Sequence, residues 1–428
     1  MADKGIAYLK RKLANYQLAA RKRYDYYDMH YQELQRGVMI PPEVLYQYRS
    51  CIGWCSKAVD ALADRLVFRE FINDELEMNE IFQMNSPDVF FDSAILSALI
   101  SSCCFVYISL GEDDMPRLQV IEGTDATGVI DPITGLLTEG YAVLERDDNG
   151  NPILEAYFQP HRTSFYSHGE LNHVTNHKAP YALLVPIIHR PDAKRPFGRS
   201  RITRACMYYQ AYAKRTLERS DVSAEFYSFP QKYIVGLSQD TEFMDTWRAS
   251  ISSMLAFEKD NEGDSPKLGQ FQQQSMAPYL DQLRAAASGF AGESGLTLDD
   301  LGFPSDNPSS AEAIKASHET LRVTARKAQR CFGTGFLNVG YLAVCLRDDY
   351  EYERSLVAPT KPKWEPVFEA DAATMSVIGD GAIKINQAVP GYMDKDAIRD
   401  LTGLEGGNGG YSTPTVGSDQ SGLSKDDR

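Results

Sequence analysis

The sequence lacks most of the features that announce a chemistry. No run of eighteen apolar residues occurs, and the most apolar stretch, about Ala94 to Leu110, is broken by serines and closed by Gly111-Glu112-Asp113-Asp114. A membrane-spanning helix is therefore not expected. The first residues, MADKGIAYLKRKLANYQLAARKRYDYY, have no apolar core of the secretory kind, which predicts that the protein stays where it is made. The seven cysteines are irregularly spaced and contain no CxxC pair, so they read as reduced and largely buried thiols. Cys51 and Cys55 lie one helical turn apart, yet no nearby His or second Cys pair completes a metal site. No GxxxxGK[ST] loop is present, and Gly333, Gly335 and Gly340 have neither the spacing nor the preceding strand of a dinucleotide fingerprint. No HExxH or GxSxG occurs either. Asp113-Asp114 could hold a metal at the end of a strand, but GEDDM supplies what a turn needs and no distant carboxylate motif completes a two-metal centre. His161, His168, His173 and His177 crowd one segment and read as surface or contact histidines. Neither a catalytic constellation nor a cofactor is expected.

Positive charge is also scarce. Lys and Arg number 44 against 59 Asp and Glu, a net charge of −15. Residues 1–36 carry eight basic and four acidic residues, net +4, which leaves −19 for the rest; residues 240–306 carry four against twelve, net −8. A broad basic footprint for gripping nucleic acid is absent. Hydrophobic content of 43% and charged content of 24% are ordinary for a globular chain, and 428 residues suffice for two or three domains.

The rest of the chain is organised around residues 196–237. Pro196 and Gly198 suit a loop, and Arg199 to Phe229 then runs without Pro or Gly, long enough for one helix of six or seven turns. At about 100° per residue, Ile202, Cys206, Tyr209, Ala213 and Leu217 share one arc, with Arg201, Arg204, Arg215 and Arg219 nearly opposite. Gln231 to Leu237 alternates like a strand. Before this stretch, helices are expected at Lys10–Gln35, after Pro41-Pro42 through Leu66, at Asn79–Asn85 and at Pro87–Ser101. Strands follow at Cys104–Leu110, Leu118–Glu122, Gly128–Ile130, Thr138–Arg146, Ile153–Phe158 and Ser164–Tyr166, with turn chemistry at 131–135 and 147–150. A boundary is expected in the Pro-rich passage 186–196. After it, the pattern predicts a helix over Thr241–Phe257 with Phe243 and Trp247 on one face, an acidic loop with Glu258, Asp260, Glu262 and Asp264, and a short strand. Helices are then predicted at Met276–Gly289, from the capping box Ser309–Glu312 to Phe332, at Phe336–Leu346, at Asp371–Ile385 and near Lys395–Thr402. Arg322, Arg326 and Arg330 form a basic row on the second of these. Residues 403–428, rich in Gly and Ser, cannot bury a core.

Four strings together, CIGWCSKAVDALADRLVFREF (51–71), PFGRSRITR (196–204), AEFYSFPQKYIVG (224–236) and GFPSDNPSSAEAIKASHETL (302–321), resemble in order and spacing the portal proteins of long-tailed bacteriophages. The resemblance covers about residues 5–402 and implies an α+β portal fold. Its parts would be an N-terminal wing at 1–195, a stem helix at 196–228, a small α/β clip at 229–275 and a returning stem helix at 276–292. A tunnel loop at 293–308, a supporting helix with C-terminal wing at 309–402 and a flexible tail at 403–428 would follow, with the crown reduced or absent. The family function it implies is a non-enzymatic dodecameric ring at one capsid vertex of the virion, assembled in the host bacterial cytoplasm, through which double-stranded DNA is packaged and ejected. Implied partners are the large terminase subunit, a head-tail adaptor, the major capsid protein and scaffold, and no membrane. Leu298, Asp299, Asp300, Leu301, Ser305 and Asp306 would line the tunnel loop. Phe243, Trp247, Glu258, Asp260, Glu262 and Asp264 would dock the motor or adaptor. Arg201, Arg204, Arg215, Arg219, Arg322, Arg326 and Arg330 would face neighbouring subunits or DNA. Two rivals stay open: a metal-dependent nuclease built around Asp113 and Asp114, and a capsid or baseplate protein without a DNA channel.

Overall fold

A computed structural model describes residues 4–30, 50–228, 232–235, 267–270, 272, 275–304, 316–368, 372–395 and 397–398. They fall into two compact units, Met1–Val367 and Phe368–Arg428. The architecture mixes helix and strand, as the α+β expectation requires.

The first unit opens with α1 (Ile6–Tyr27), α2 (Trp54–Ala63), β1 (Phe68–Ile72), α3 (Met78–Gln83) and α4 (Pro87–Ser101). Pro87 starts α4, where a missing N–H costs nothing, and Phe90, Phe91, Ala94, Ile95, Ala98, Leu99 and Ile100 are all buried. Such a helix is wrapped on more than one side. Ser102, at φ 97°, then turns the chain into a strand.

Two sheets follow from the alternating region. β2 (Cys103–Leu110) lies between β3 (Pro116–Ile121) and β9 (Leu184–Ile188). The five-stranded antiparallel meander runs β4 (Ala126–Ile130), β5 (Leu137–Arg146), β6 (Pro152–Gln159), β7 (Arg162–Ser167) and β8 (Glu170–Asn176) in spatial order. The turns are built by the expected residues: Asp131 accepts from Ile133 N–H at 3.1 Å and Thr134 Oγ1–H at 2.7 Å. Asp147 accepts from Asn149 N–H at 3.0 Å and Asn151 N–H at 2.6 Å, and Gly150 takes φ 82°. The passage around Pro186 is part of β9 instead of a break. Pro186 faces Phe105 on a strand that ends its sheet, a position that tolerates a missing N–H.

α1 is seated on the meander by carboxylates that point inward. Glu139 on β5 is buried and accepts from the Lys4 and Gly5 N–H groups at 2.8 and 2.9 Å and from Tyr157 Oη–H at 2.8 Å. An anion therefore sits at a helix N-terminus, where unpaired N–H groups and the helix dipole favour it. Burial alone would raise its pKa, but the donated hydrogen bonds outweigh burial and hold it below the ordinary glutamate value.

The remaining elements are α5 (Arg204–Ser228), β10 (Lys232–Val235), β11 (Lys267–Gln270), α6 (Ala277–Ser294), a 3-10 turn (Asp299–Leu301), α7 (Glu319–Arg347), a second 3-10 turn (Arg354–Val357) and β12 (Lys361–Trp364). β10 and β11 pair antiparallel, and β12 pairs with β1. The helices expected at 309–332 and 336–346 are one helix in the described range. Gly333 and Gly340 do not break it. A Cβ on Gly333 would lie 2.5 Å from Pro362 Cγ, and one on Gly340 2.6 Å from Met78 Sδ. Glycine costs about 1 kcal/mol inside a helix, and here it permits close approach of β12 and α3. Phe336 then meets Phe91 at 4.7 Å between ring centroids, and Phe91 meets Phe68 at 4.3 Å, in the centre of the unit.

In the second unit, α8 (Ala372–Ala388) carries Asn386, whose side chain bonds Met393 through both its donor and acceptor at 2.8 and 2.7 Å. The capping box Ser309–Glu312, the helix at Thr241–Phe257 and the tail 403–428 lie outside the described residues.

Candidate functional site

The expected stem is a helical hairpin. Thr203 Oγ1 donates to Glu293 Oε1 at 2.9 Å at one end, and Ser223 Oγ meets Tyr279 Oη at 2.7 Å at the other, so α5 and α6 run antiparallel. The two contacts are twenty residues apart along α5, about 30 Å of helix. Between them the helices approach closely, since a Cβ on Gly289 would stand 2.4 Å from Tyr209 Cε1. The apolar arc read from the sequence faces inward: Ile202, Cys206 and Ala213 are buried, Tyr209 and Leu217 half-buried.

The opposite arc is not uniform. Arg204 and Arg219 are exposed, and Arg215 is half-buried with interactions of its own. Arg201 contradicts the expectation, being 7% exposed and outside the helix. The reason lies at Thr203, whose Oγ1 accepts from Cys206 N–H at 3.2 Å. That hydrogen bond caps the helix, which therefore starts at Arg204 instead of Arg199. Upstream of the cap the chain is free to turn Arg201 inward. Its Nε donates to Ala58 O at 3.2 Å and its guanidinium also bonds Ser294 O. Burial lowers its pKa to about 10. A guanidinium so enclosed is bonded within its own chain and is not presented at the surface.

The segment expected to form the tunnel loop is folded where it is described. Asp300 Oδ2 accepts from Thr297 N–H and Thr297 Oγ1–H, both at 2.9 Å, and Asp300 N–H returns a bond to Thr297 Oγ1 at 3.2 Å. Gly302, in the left-handed region at φ 89°, closes the turn through its N–H to Asp299 O at 3.1 Å. Leu301 is buried and Leu298 packs on the core, so Leu301 anchors this turn and does not present a channel wall. Asp299 is exposed and Asp300 half-buried. Ser305 and Asp306 lie outside the described residues, as do Phe243, Trp247, Glu258, Asp260, Glu262 and Asp264.

On α7, Leu321, Ala325, Ala328 and Phe332 form a buried stripe at helical spacing, while Arg326 and Arg330 are exposed. Arg322 engages Glu319 one turn back, Nε and Nη2 each 2.7 Å from a carboxylate oxygen. The basic row on this helix is thus a surface.

The rival sites dissolve in the geometry. Asp113 and Asp114 occupy the β2–β3 turn, where Asp113 accepts from Arg117 Nη2 at 2.7 Å and Asp114 takes φ 60°. His161 and His168 sit at positive φ, His173 stacks on Phe165 at 4.3 Å, and His177 is buried, with its pKa pushed down by burial to about 4. Cys51 is exposed and Cys55 buried. Among the described residues no group of three or more His, Cys, Asp or Glu side chains is placed to hold a metal ion, and no helix is long and apolar enough to cross a membrane.

The sequence matches no protein-family model. It is 28% identical over 334 residues to the portal protein of Mycobacterium phage L5, covering 72% of this chain and 67% of that protein. It is 26% identical over 404 residues to the portal protein of Mycobacterium phage D29, covering 89% of this chain and 81% of that one. Similar solved chains include one from the virion of a native gene transfer agent particle, with a TM-score of 0.44, 13% identity and coverage of 91% of this chain and 99% of the other. Another, from the neck of an empty gene transfer agent particle, has a TM-score of 0.45, 14% identity and coverage of 87% and 96%. By sequence, then, the chain resembles bacteriophage portal proteins over most of its length.

Proposed function

We propose that this chain is the subunit of a viral portal: a homo-oligomeric, dodecameric ring at the capsid vertex that conducts double-stranded DNA and docks the terminase motor, then the head-tail adaptor. The observation that carries the reading is the similarity to a phage portal protein over 404 residues, which includes both stem helices and α7. In this reading α5 and α6 form the stem, residues 229–275 the clip, 293–308 the tunnel segment, and α7 its support. The chain is a virion component that works without catalysis.

Its charge suits that task. Each phosphate neutralised by Lys or Arg releases counterions and adds sequence-independent affinity, which would hold a duplex that must slide. An acidic stretch of net −8 over residues 240–306 works against such adhesion. Asp299 is the exposed carboxylate of the tunnel-side turn, so Asp299→Lys is expected to leave assembly intact and impair packaging. Unchanged DNA filling would refute that role. The wider reading is tested by a phage with a stop codon at Trp54: it should yield capsids without DNA, and filled heads would contradict the proposal.

A further inference from the structure

Residues 200–210 close the ends of four helices at once. Ser200 Oγ donates to Ile100 O at 2.5 Å and Arg201 N–H to Leu99 O at 2.8 Å, both at the C-terminal end of α4. Arg201 bonds Ser294 O, the last carbonyl of α6, and Ala58 O within α2. Gln210, fully buried, accepts from Cys55 N–H at 2.6 Å and donates to Tyr26 O at 3.2 Å. Cys55 is in the first turn of α2 and Tyr26 in the last turn of α1, so one side-chain amide serves an orphan donor and an orphan acceptor of two different helices. The guanidinium likewise meets the carbonyl end of α6, where the helix dipole favours a cation.

These are not interchangeable packing contacts. An apolar residue at either position would fill space but leave buried helix-end groups without partners, and such groups are costly to strand. The two clasps share α2, where Arg201 reaches Ala58 O, but otherwise face different parts of the molecule. Arg201 holds the end of α6 that leads directly into the Thr297–Asp300 turn, whereas Gln210 holds the start of α2 and the end of α1.

We infer that Arg201 and Gln210 are two separate positioning residues at the root of the α5–α6 hairpin. Arg201 ties the turn at 297–302 to α5, and Gln210 ties α1 and α2 to it. Each clasp controls the opening of its own segment. A change at the hairpin root is therefore felt at the tunnel-side turn through the guanidinium, and at α1 through the amide.

Hydrogen exchange by mass spectrometry on the full chain tests this, because local opening and global destabilisation leave different patterns. In Arg201→Met, the hydrogen-bonded amides of Gly295, Leu301, Gly302 and Phe303 should exchange about tenfold faster. Those of β5 and β6 should keep wild-type rates. In Gln210→Leu, Cys55 and the last turn of α1 should accelerate while residues 295–303 do not. Arg201→Lys retains the charge with a shorter reach and should give an intermediate effect at 295–303; it also supplies the test if the Met variant does not fold. Wild-type rates at 295–303, or acceleration that is uniform through β5 and β6, would overturn the inference.

Discussion

The two halves of α7 are one continuous helix with opposite burdens. Over its first thirteen residues only Leu321, Ala325 and Ala328 are buried, and Arg326 and Arg330 stand in solvent. From Phe332 to Cys345 nearly every residue is buried, among β2, β9, β12 and α3, with Phe336 against Phe90 and Phe91 of α4. The first half is an amphipathic surface helix, and the second is the axis of the core. The difference teaches where the molecule tolerates change: one end of the helix is available for contacts, while the other holds the fold.

The largest effect that would break this contrast is at Phe336, whose ring touches those of Phe68, Phe90, Phe91 and Trp364. Phe336→Ala is expected to cost about 3–5 kcal/mol in urea unfolding, in line with other buried aromatic truncations. A cost below about 1 kcal/mol would show that the cluster is not central. Next comes Gly333→Ala, whose new methyl meets Pro362 and should destabilise by about 1–3 kcal/mol. A neutral result there would mean that β12 yields easily.

A titratable group packed against the same half supplies a pH dependence. His189 is buried, its Nδ1 is 2.7 Å from Arg199 O, and its ring stacks on Phe332. Burial lowers its pKa to about 3. The unfolded chain, with an ordinary imidazole near 6.5, then binds more protons than the folded one between about pH 6.5 and 3. This contribution is fully present above about pH 6.5 and is lost as pH falls towards about 3. Stability should therefore decline on acidification by up to about 1.4 kcal/mol per pH unit from this group. His189→Phe should flatten that slope, as read by denaturant midpoints from pH 7 to 5; an unaltered slope would assign the dependence elsewhere. The smallest stability effect is expected in the first half of the helix, where Arg326→Ala with Arg330→Ala should stay within about 0.5 kcal/mol. A larger loss would mean that the arginine row is structural.

The sequence showed both halves of α7 as helix and missed that they join, for one reason. Periodicity reports a helix with two unlike faces, and Leu321, Ala325, Ala328 and Phe332 keep that pattern. A helix buried all round has no polar face to mark the period, and Gly333 and Gly335 then look like a break. The same limit hid β9, where Pro186 read as a boundary, and β1 and β12, whose partner lies nearly three hundred residues away in the register Phe68 to Trp364. The hairpin turns were legible because Asp131 and Asp147 act locally. At the candidate site, the apolar arc of α5 was legible and Arg201 was not. Only the cap at Thr203, three residues before Cys206, could have shown that the helix begins too late to place Arg201 on its basic face. Gln210 left no signal, since its partners come from Tyr26 and Cys55.

The most direct test of the portal reading is the assembly itself: negative-stain electron microscopy of the purified chain, with mass photometry on the same sample to count subunits. A portal subunit should form closed rings of twelve with a central opening. A chain that stays monomeric or dimeric, alone and with its capsid and scaffold proteins, would contradict it.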